Sequence, residues 1–133
     1  MSADAVTWTV ATLQLVTALG IAGFWATWFR EAHTEPWLPE GYVDHERVFV
    51  FPDSLLAGLL TLSAVLAVAE VPLGRTLGLV CAGMLAFLGV IDAAYFAQHG
   101  LFARARDGLL NAAIVGAVLA MAVLLAVTYH GKG

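Results

Sequence analysis

The sequence predicts an all-α fold, a transmembrane antiparallel four-helix bundle with up-down-up-down topology. Hydrophobic residues make up 61% of the 133 residues, whereas soluble domains contain about 45–50%. Charged residues make up 12%, against roughly 25% in soluble domains. A soluble domain of this size could not bury so much apolar surface, because short chains bury only a modest part of their area. Four long apolar segments are therefore expected to lie in lipid.

The first predicted span covers residues 5–29, which carry no formal charge. It exceeds the roughly 20 helical residues that cross a bilayer. Trp25, Trp28 and Phe29 lie at its end, and Arg30 follows directly. Aromatic residues followed by charge indicate that this end of the helix lies at a membrane–water interface.

Residues 30–51 form a polar connection that holds half of the acidic residues of the chain. Pro36, Pro39 and Gly41 argue against a long continuous helix in this segment. Apolar side chains such as Trp37 and Tyr42 are interspersed with the charges. We therefore expect the connection to lie on the membrane surface or to fold back over the bundle as a lid.

The second predicted span begins at Pro52, which suits the first turn of a helix. Asp53 beside it interacts favourably with the positive end of the helix dipole. The uncharged core, residues 54–69, is shorter than the roughly 20 residues of a typical span. Asp53 and Glu70 are therefore expected near the interfaces, or the bilayer is thinned locally.

The second half of the chain supplies the other two spans. Residues 71–75 form a short connection with Pro72 and Gly74, which makes the flanking helices antiparallel. The third span, residues 76–98, contains Asp92, and residues 99–106 connect it to the fourth span, residues 108–129. Asp107 precedes the fourth span, again matched to the helix dipole. All 133 residues thus form one four-span domain.

Two stripes of small residues are spaced for helix packing. Ala112, Gly116 and Ala120 form one stripe, and Gly74 and Gly78 begin another. Such stripes let helix backbones approach closely in lipid. Packing within the bundle is the simpler interpretation, and a dimer face is the alternative.

Four spans place both termini on one side of the membrane, here named side A, together with the 71–75 connection. The opposite side, side B, holds the connections 30–51 and 99–106. Basic residues are more numerous on side B, which predicts that side B is cytoplasmic and that the termini lie outside. We expect a multi-pass protein of the cell membrane, and the richness in Ala, Leu, Val and Gly suggests a bacterial inner membrane. The basic residues are Arg75 and Lys132 on side A, and Arg30, Arg47, Arg104 and Arg106 on side B.

Asp92 is the most informative residue. A charge at mid-helix costs roughly 2.5–3.5 kcal/mol on insertion scales, so carboxyls within a membrane usually face the bundle interior or a wet cavity. Tyr95, Phe96 and His99 follow Asp92 at helical spacing and share its face. We expect Asp92, Tyr95 and His99 to be the catalytic residues if the protein is an enzyme, with Asp92 acting in proton transfer.

All four helices present polar groups toward side B, whereas side A offers a thinner scatter that includes Gln14. This asymmetry predicts a polar pocket in the side-B half of the bundle, covered by residues 30–51. The candidate ligand-binding residues are Asn111, Asp107, Arg30, Asp53 and Trp28.

A structural interpretation of the same residues stays open. Asp92 could accept hydrogen bonds from Tyr95, Asn111 or Arg30 and simply hold the helices together. Asp53 and Asp107 could serve only to cap their helices, and His99 could be an interface residue. The side-B aromatic residues could form a membrane-interface belt instead of a wall that stacks on a ligand.

Several classes of function are disfavoured. A net charge of −4 with six Lys and Arg residues argues against nucleic-acid binding, which needs a dense basic face. Cys81 is the single cysteine, so an intrachain disulfide and a cysteine-based zinc site are excluded; we expect it to be a small core residue. No metal site is predicted, because no paired-histidine helix motif is present. The residues identify no cofactor.

The sequence favours a small membrane protein that binds or acts on a lipophilic small molecule, and it leaves open whether the protein is an enzyme. One alternative is a proton-coupled transporter that works as a homodimer, because four short helices alone do not easily enclose a path. The other is a non-catalytic structural or accessory membrane subunit. The expected partners are the lipid bilayer, a lipophilic ligand and a second copy in a homo-oligomer.

Overall fold

A computed structural model describes residues 3–103 and 106–131, and within these ranges the chain forms five α-helices and no strand. Four helical segments are long and apolar enough to cross a membrane, as predicted. Helices satisfy every backbone polar group internally, which lipid requires. The helices are α1 (Ala3–Trp28), α2 (Tyr42–Arg47), α3 (Val50–Val68), α4 (Pro72–Gln98) and α5 (Gly108–Tyr129).

The long helices form a bundle in which each packs against the next along the chain. Extensive contacts join α1 to α3, α3 to α4 and α4 to α5, whereas α1 and α5 touch only sparsely. The core between them contains Leu56, Leu60, Leu85 and Leu125, each at most 2% exposed. Cys81 is fully buried in the same core, which confirms its prediction as a core residue.

The second span differs from its prediction at the N-terminal end. Helix α3 begins at Val50, two residues before Pro52. A turn separates it from the short helix α2, which comes before it in the chain. Tyr42–Val68 together forms a segment of span length. The predicted start of the second span at Pro52 is therefore wrong, because apolar residues around Glu46 and Arg47 extend the helical segment beyond the uncharged core.

The two small-residue stripes have different surroundings. Gly74 and Gly78 are buried, and a Cβ at Gly74 would meet the backbone of Ala67 in α3. This stripe confirms close packing within the bundle. Ala112, Gly116 and Ala120 are exposed on the outer surface, so their predicted packing inside the bundle is wrong. Helix α5 instead buries its larger residues, including Val115, Met121 and Leu125.

A fully buried polar network connects the helices in the side-A half. Gln14 of α1 donates from Nε2 to Ser63 Oγ of α3 over 3.0 Å, and Ser63 Oγ donates to the Gly74 carbonyl of α4 over 2.7 Å. The Tyr129 hydroxyl of α5 donates to Gln14 Oε1 over 2.7 Å. Gln14 and Ser63 are 0% exposed and Tyr129 is 4% exposed. Four helices are thus joined by hydrogen bonds that satisfy one another, and this network was not predicted.

Candidate functional site

Three carboxyl side chains from three helices lie within electrostatic range of one another in the side-B half of the bundle. Glu46 of α2 is 6% exposed, while Asp53 of α3 and Asp92 of α4 are half-buried. The Glu46 carboxyl interacts electrostatically with those of Asp92 and Asp53, and Asp92 interacts with Asp53. We name Glu46, Asp53 and Asp92 the acid cluster.

Each member of the acid cluster is positioned by local structure. Asp53 lies in the first turn of α3, where the helix dipole favours an anion. The Trp25 indole Nε1 of α1 donates to Asp53 Oδ2 over 2.9 Å. Asp92 lies in the last two turns of α4. The turn between α2 and α3 orients α2 so that Glu46 is its buried residue.

The acid cluster lacks a compensating base within the described ranges. No basic side chain there contributes to the electrostatic environment of Glu46, Asp53 or Asp92. Glu46 Oε1 is buried and has no hydrogen-bond partner among the described atoms. A buried carboxyl oxygen without a partner is costly when the group is ionised, because its desolvation is not repaid by a hydrogen bond or an opposite charge. A purely structural role therefore does not account for the acid cluster, because neither a donor to Glu46 Oε1 nor a base is present among the described residues.

The contrast with the side-A network is informative. Gln14, Ser63 and Tyr129 satisfy one another inside the bundle, as buried polar groups usually do. At side B, Asp53 has one donor in Trp25, and Glu46 Oε1 has none within the described part of the chain. Unsatisfied buried polar groups in a folded chain call for an explanation such as a binding or catalytic role.

A column of three aromatic rings lies beside the acid cluster. The His45 ring stacks on Tyr95 with centroids 3.8 Å apart and planes 8° apart, and Tyr95 stacks on His99 at 4.3 Å. Tyr95 interacts electrostatically with Glu46, which places the column next to the cluster. His45 Nε2 is buried and makes no hydrogen bond to a described atom. His99 is exposed, and its Nδ1 contacts the Tyr95 carbonyl at 3.0 Å.

The end of α1 is covered by the connection that follows it. His33 Nε2 contacts the Trp28 carbonyl at 2.7 Å, and the His33 ring lies tilted against Trp28 with centroids 4.3 Å apart. Tyr42 lies near both His33 and Trp28. Trp25 and Trp28 are only 6% and 5% exposed, so they face the protein interior. The interpretation of these two residues as a lipid-facing belt is therefore wrong.

Asn111 and Asp107 lie in a different place from the acid cluster. They line a groove of about 80 Å³ between the first connection and the loop after α4, and Asp92 and Tyr95 are not among its lining residues. Asn111 Nδ2 donates to the Leu101 carbonyl over 2.7 Å, which holds that loop against α5. The single pocket expected around all four residues is therefore not formed, because the groove that contains Asn111 and Asp107 does not reach Asp92 or Tyr95.

The remaining predicted site residues have simple surroundings. Asp107 occupies the position before α5, is exposed and has a left-handed backbone with φ 60°. Its side chain makes no capping hydrogen bond, so the expected side-chain capping of α5 is wrong. Arg30 is exposed at the end of α1. Arg104 and Lys132, used for the predicted orientation, lie outside the described residues.

A second, larger groove lies within the first connection itself. It has a volume of about 350 Å³ and is wide open to its surroundings. Its walls include His33, Glu35, Leu38, Tyr42 and Asp44. Within residues 3–103 and 106–131, no three histidine, cysteine or acidic side chains converge so as to hold one metal ion.

Sequence reasoning identified Asp53 and Asp92 but missed Glu46, Trp25 and His45. A signal for Glu46 was present, because Glu46 and Asp53 are seven residues apart and this spacing places them on one face of a continuous helix. It was missed because the prolines suggested an irregular connection through this region. Trp25 carried no such signal, since its bond to Asp53 joins two different helices.

Comparisons with family models, with curated proteins and with solved structures give no match.

Proposed function

We propose that this chain is a membrane-embedded binding protein for a lipophilic small molecule, whose polar group is held by the acid cluster. The observation that carries the proposal is the uncompensated burial of Glu46 together with Asp53 and Asp92. A bound molecule that donates hydrogen bonds or carries opposite charge would satisfy these carboxyls. The four apolar spans supply the lipid-facing surroundings from which such a molecule would be drawn.

In this proposal the ligand reaches the acid cluster from the membrane, between α1 and α5. Helices α1 and α5 have few contacts, so that side of the bundle is loosely closed. In the side-B half, α5 exposes Leu109 and Leu110, and α1 exposes Phe24. An apolar molecule could lie against this surface and place its polar end toward the carboxyls. Tyr95 and His99, whose rings stack on each other, would orient such a molecule or carry a proton.

We further propose that the protein lies in the cell membrane with side B in the cytoplasm. Among the Lys and Arg residues that the structure describes, Arg30, Arg47 and Arg106 are on side B and Arg75 is on side A. Short loops with an excess of Lys and Arg lie on the cytoplasmic side of the membrane.

The proposal is tested by mass spectrometry of the small molecules that copurify with the protein in mild detergent. The wild type is compared with Glu46→Gln and Asp92→Asn, each of which removes a charge and keeps the side-chain shape. Asp44→Asn is the matched control, because Asp44 is an exposed acid in the same short helix as Glu46. Helix content and thermal unfolding of each variant establish that it is folded.

A molecule enriched with the wild type and Asp44→Asn, but depleted from both cluster variants, is the expected result. The same set of molecules on all four proteins would overturn the proposal, and so would the absence of any bound molecule from the wild type.

A further inference from the structure

We infer that the molecule held by the acid cluster is a lipophilic cation, an organic ammonium group attached to an apolar body. This inference rests on the proposed function and specifies the chemical class of its ligand. It begins from the sign of the charge that the site presents.

Charge is the first argument. Glu46, Asp53 and Asp92 repel one another when they are ionised, and no base among the described residues offsets this repulsion. An anionic ligand would add to this repulsion, and a neutral ligand would leave it in place. A cation is the class of ligand that reduces it, and the effect is large because the surroundings are apolar and screen poorly.

Hydrogen bonding is the second argument and is independent of the first. Glu46 is more than nine-tenths buried, and its Oε1 has no donor among the described atoms although it lies in electrostatic range of Asp53 and Asp92. An ammonium group carries several N–H donors and no acceptor, which suits a group of carboxylate oxygens. Charge-assisted hydrogen bonds of this type are the strong ones.

The shape of the site favours an organic cation. The described carboxyls do not converge on a single point where one small ion could be coordinated by three of them. Aromatic rings are close by: Trp25 donates to Asp53, and Tyr95 lies one turn after Asp92. Ring faces attract ammonium groups within about 6 Å, most strongly where water is excluded. An ammonium with an apolar tail can use both the carboxylates and the rings.

Two sources could supply this chemistry, namely a free lipophilic amine and the amine headgroup of a membrane lipid. The probes are 4-phenylbutylamine, the neutral 4-phenylbutanol and the anionic 4-phenylbutyrate, which share one apolar body and differ in charge. Binding is measured by Trp fluorescence and by the shift in the thermal midpoint in maltoside micelles, which contain no amine. Empty micelles correct for partitioning. The proteins are the wild type, Glu46→Gln, Asp92→Asn and the control Asp44→Asn.

The amine should bind the wild type and Asp44→Asn, and should bind either cluster variant about tenfold more weakly, as expected for one lost charged hydrogen bond. The alcohol and the acid should bind all four proteins weakly. Added phosphatidylethanolamine should compete with the amine if the lipid headgroup is the natural cation, and should have no effect if a free amine is.

Equal binding of the alcohol and the amine, both weakened in Glu46→Gln, would overturn the cationic ligand while leaving the proposed binding function intact. Failure of the amine to bind the folded wild type would also overturn it. The copurification result then decides the proposed function separately.

Discussion

At the scale of single residues, the two ends of the bundle treat buried polar groups in opposite ways. In the side-A half, the amide of Gln14 both donates and accepts, and the partners Ser63 and Tyr129 are themselves buried. In the side-B half, Glu46 is also buried, with 6% of its surface exposed, but one of its carboxyl oxygens has no hydrogen-bond partner in the described chain. The hydrogen bonds of Gln14 offset the cost of burying its amide, so stability accounts for that network. No hydrogen bond in the described chain offsets the burial of Glu46 Oε1.

Replacing Gln14 with Leu should lower the free energy of unfolding by about 1–3 kcal/mol, because the Tyr129 hydroxyl loses its acceptor inside the bundle. The measurement is equilibrium unfolding in bicelles. Thr12→Val is the matched control, since the exposed Thr12 hydroxyl donates only to the Trp8 carbonyl within α1. Its effect should be within about 0.5 kcal/mol.

A double-mutant cycle with Tyr129→Phe sharpens this test. Once Gln14 is replaced, removing the hydroxyl should cost less than it does in the wild type, with a coupling of at least about 0.5 kcal/mol. Strictly additive effects would mean that the hydrogen bond between these side chains does not form.

At the scale of helices, glycine determines how closely α3 and α4 approach. Gly74 is buried against the Leu66–Ala67 backbone of α3, and the Ser63 hydroxyl donates to the Gly74 carbonyl. Gly78 lies against the Tyr129 ring of α5. Close backbone contact of this kind replaces the hydrophobic driving force that is lacking between helices in lipid.

Gly74→Ala should destabilise the bundle by about 1–3 kcal/mol, because the added methyl group would overlap backbone atoms that cannot move without separating the helices. Gly83→Ala is its control in the same helix, where nothing lies within 4 Å of the new methyl group. That change should be neutral or stabilise α4 by up to about 1 kcal/mol through helix propensity. Thermal unfolding in micelles compares the two. A Gly74→Ala protein as stable as Gly83→Ala would contradict the packing of α3 on α4.

At the scale of the whole molecule, the bundle has two unlike ends. The side-A half is joined across all four long helices by the network of Gln14, Ser63, Gly74 and Tyr129. The side-B half holds the acid cluster and both long connections.

The topology predicts which residues can be labelled from outside an intact cell. In a Cys81→Ala background, single cysteines replace Asp4, His130 and Glu40, which are all exposed. A membrane-impermeant maleimide should label the positions of Asp4 and His130 in intact cells, because both lie on side A. The position of Glu40 should react only after permeabilisation. Labelling at only one of the two terminal positions would contradict an even number of crossings. Labelling at Glu40 alone would reverse the proposed orientation.

The four crossings could be predicted from the sequence because they depend on local composition. A long apolar segment without charge has one stable form in lipid, a helix that bonds its own backbone, whatever its neighbours are. The fourth span, Gly108–Tyr129, agrees with its prediction at both ends. The N-terminal end of the second span was misplaced, since charged residues such as Glu46 and Arg47 lie within the helical region that extends it.

The candidate site was predicted only in part. Asp92 and Asp53 attracted attention because a carboxyl in an apolar segment is costly wherever it points. Asn111 was expected beside them, but it bonds to the Leu101 carbonyl instead. The position of Asn111 in the sequence predicts which face of α5 it occupies. It does not predict how far that face lies from α4.

The amino-acid sequence is enough to predict that this chain crosses the membrane as four helices and that its acidic residues concentrate toward one side. It is enough because the free energy of transferring a segment to lipid depends on the composition of that segment alone. Which polar groups satisfy one another is seen only once the helices are packed together. Gln14 and Tyr129 are 115 residues apart and form one hydrogen bond, while Glu46 is buried beside two other carboxyls. Such pairings depend on how helices are placed against each other, and periodicity within one helix does not contain that information.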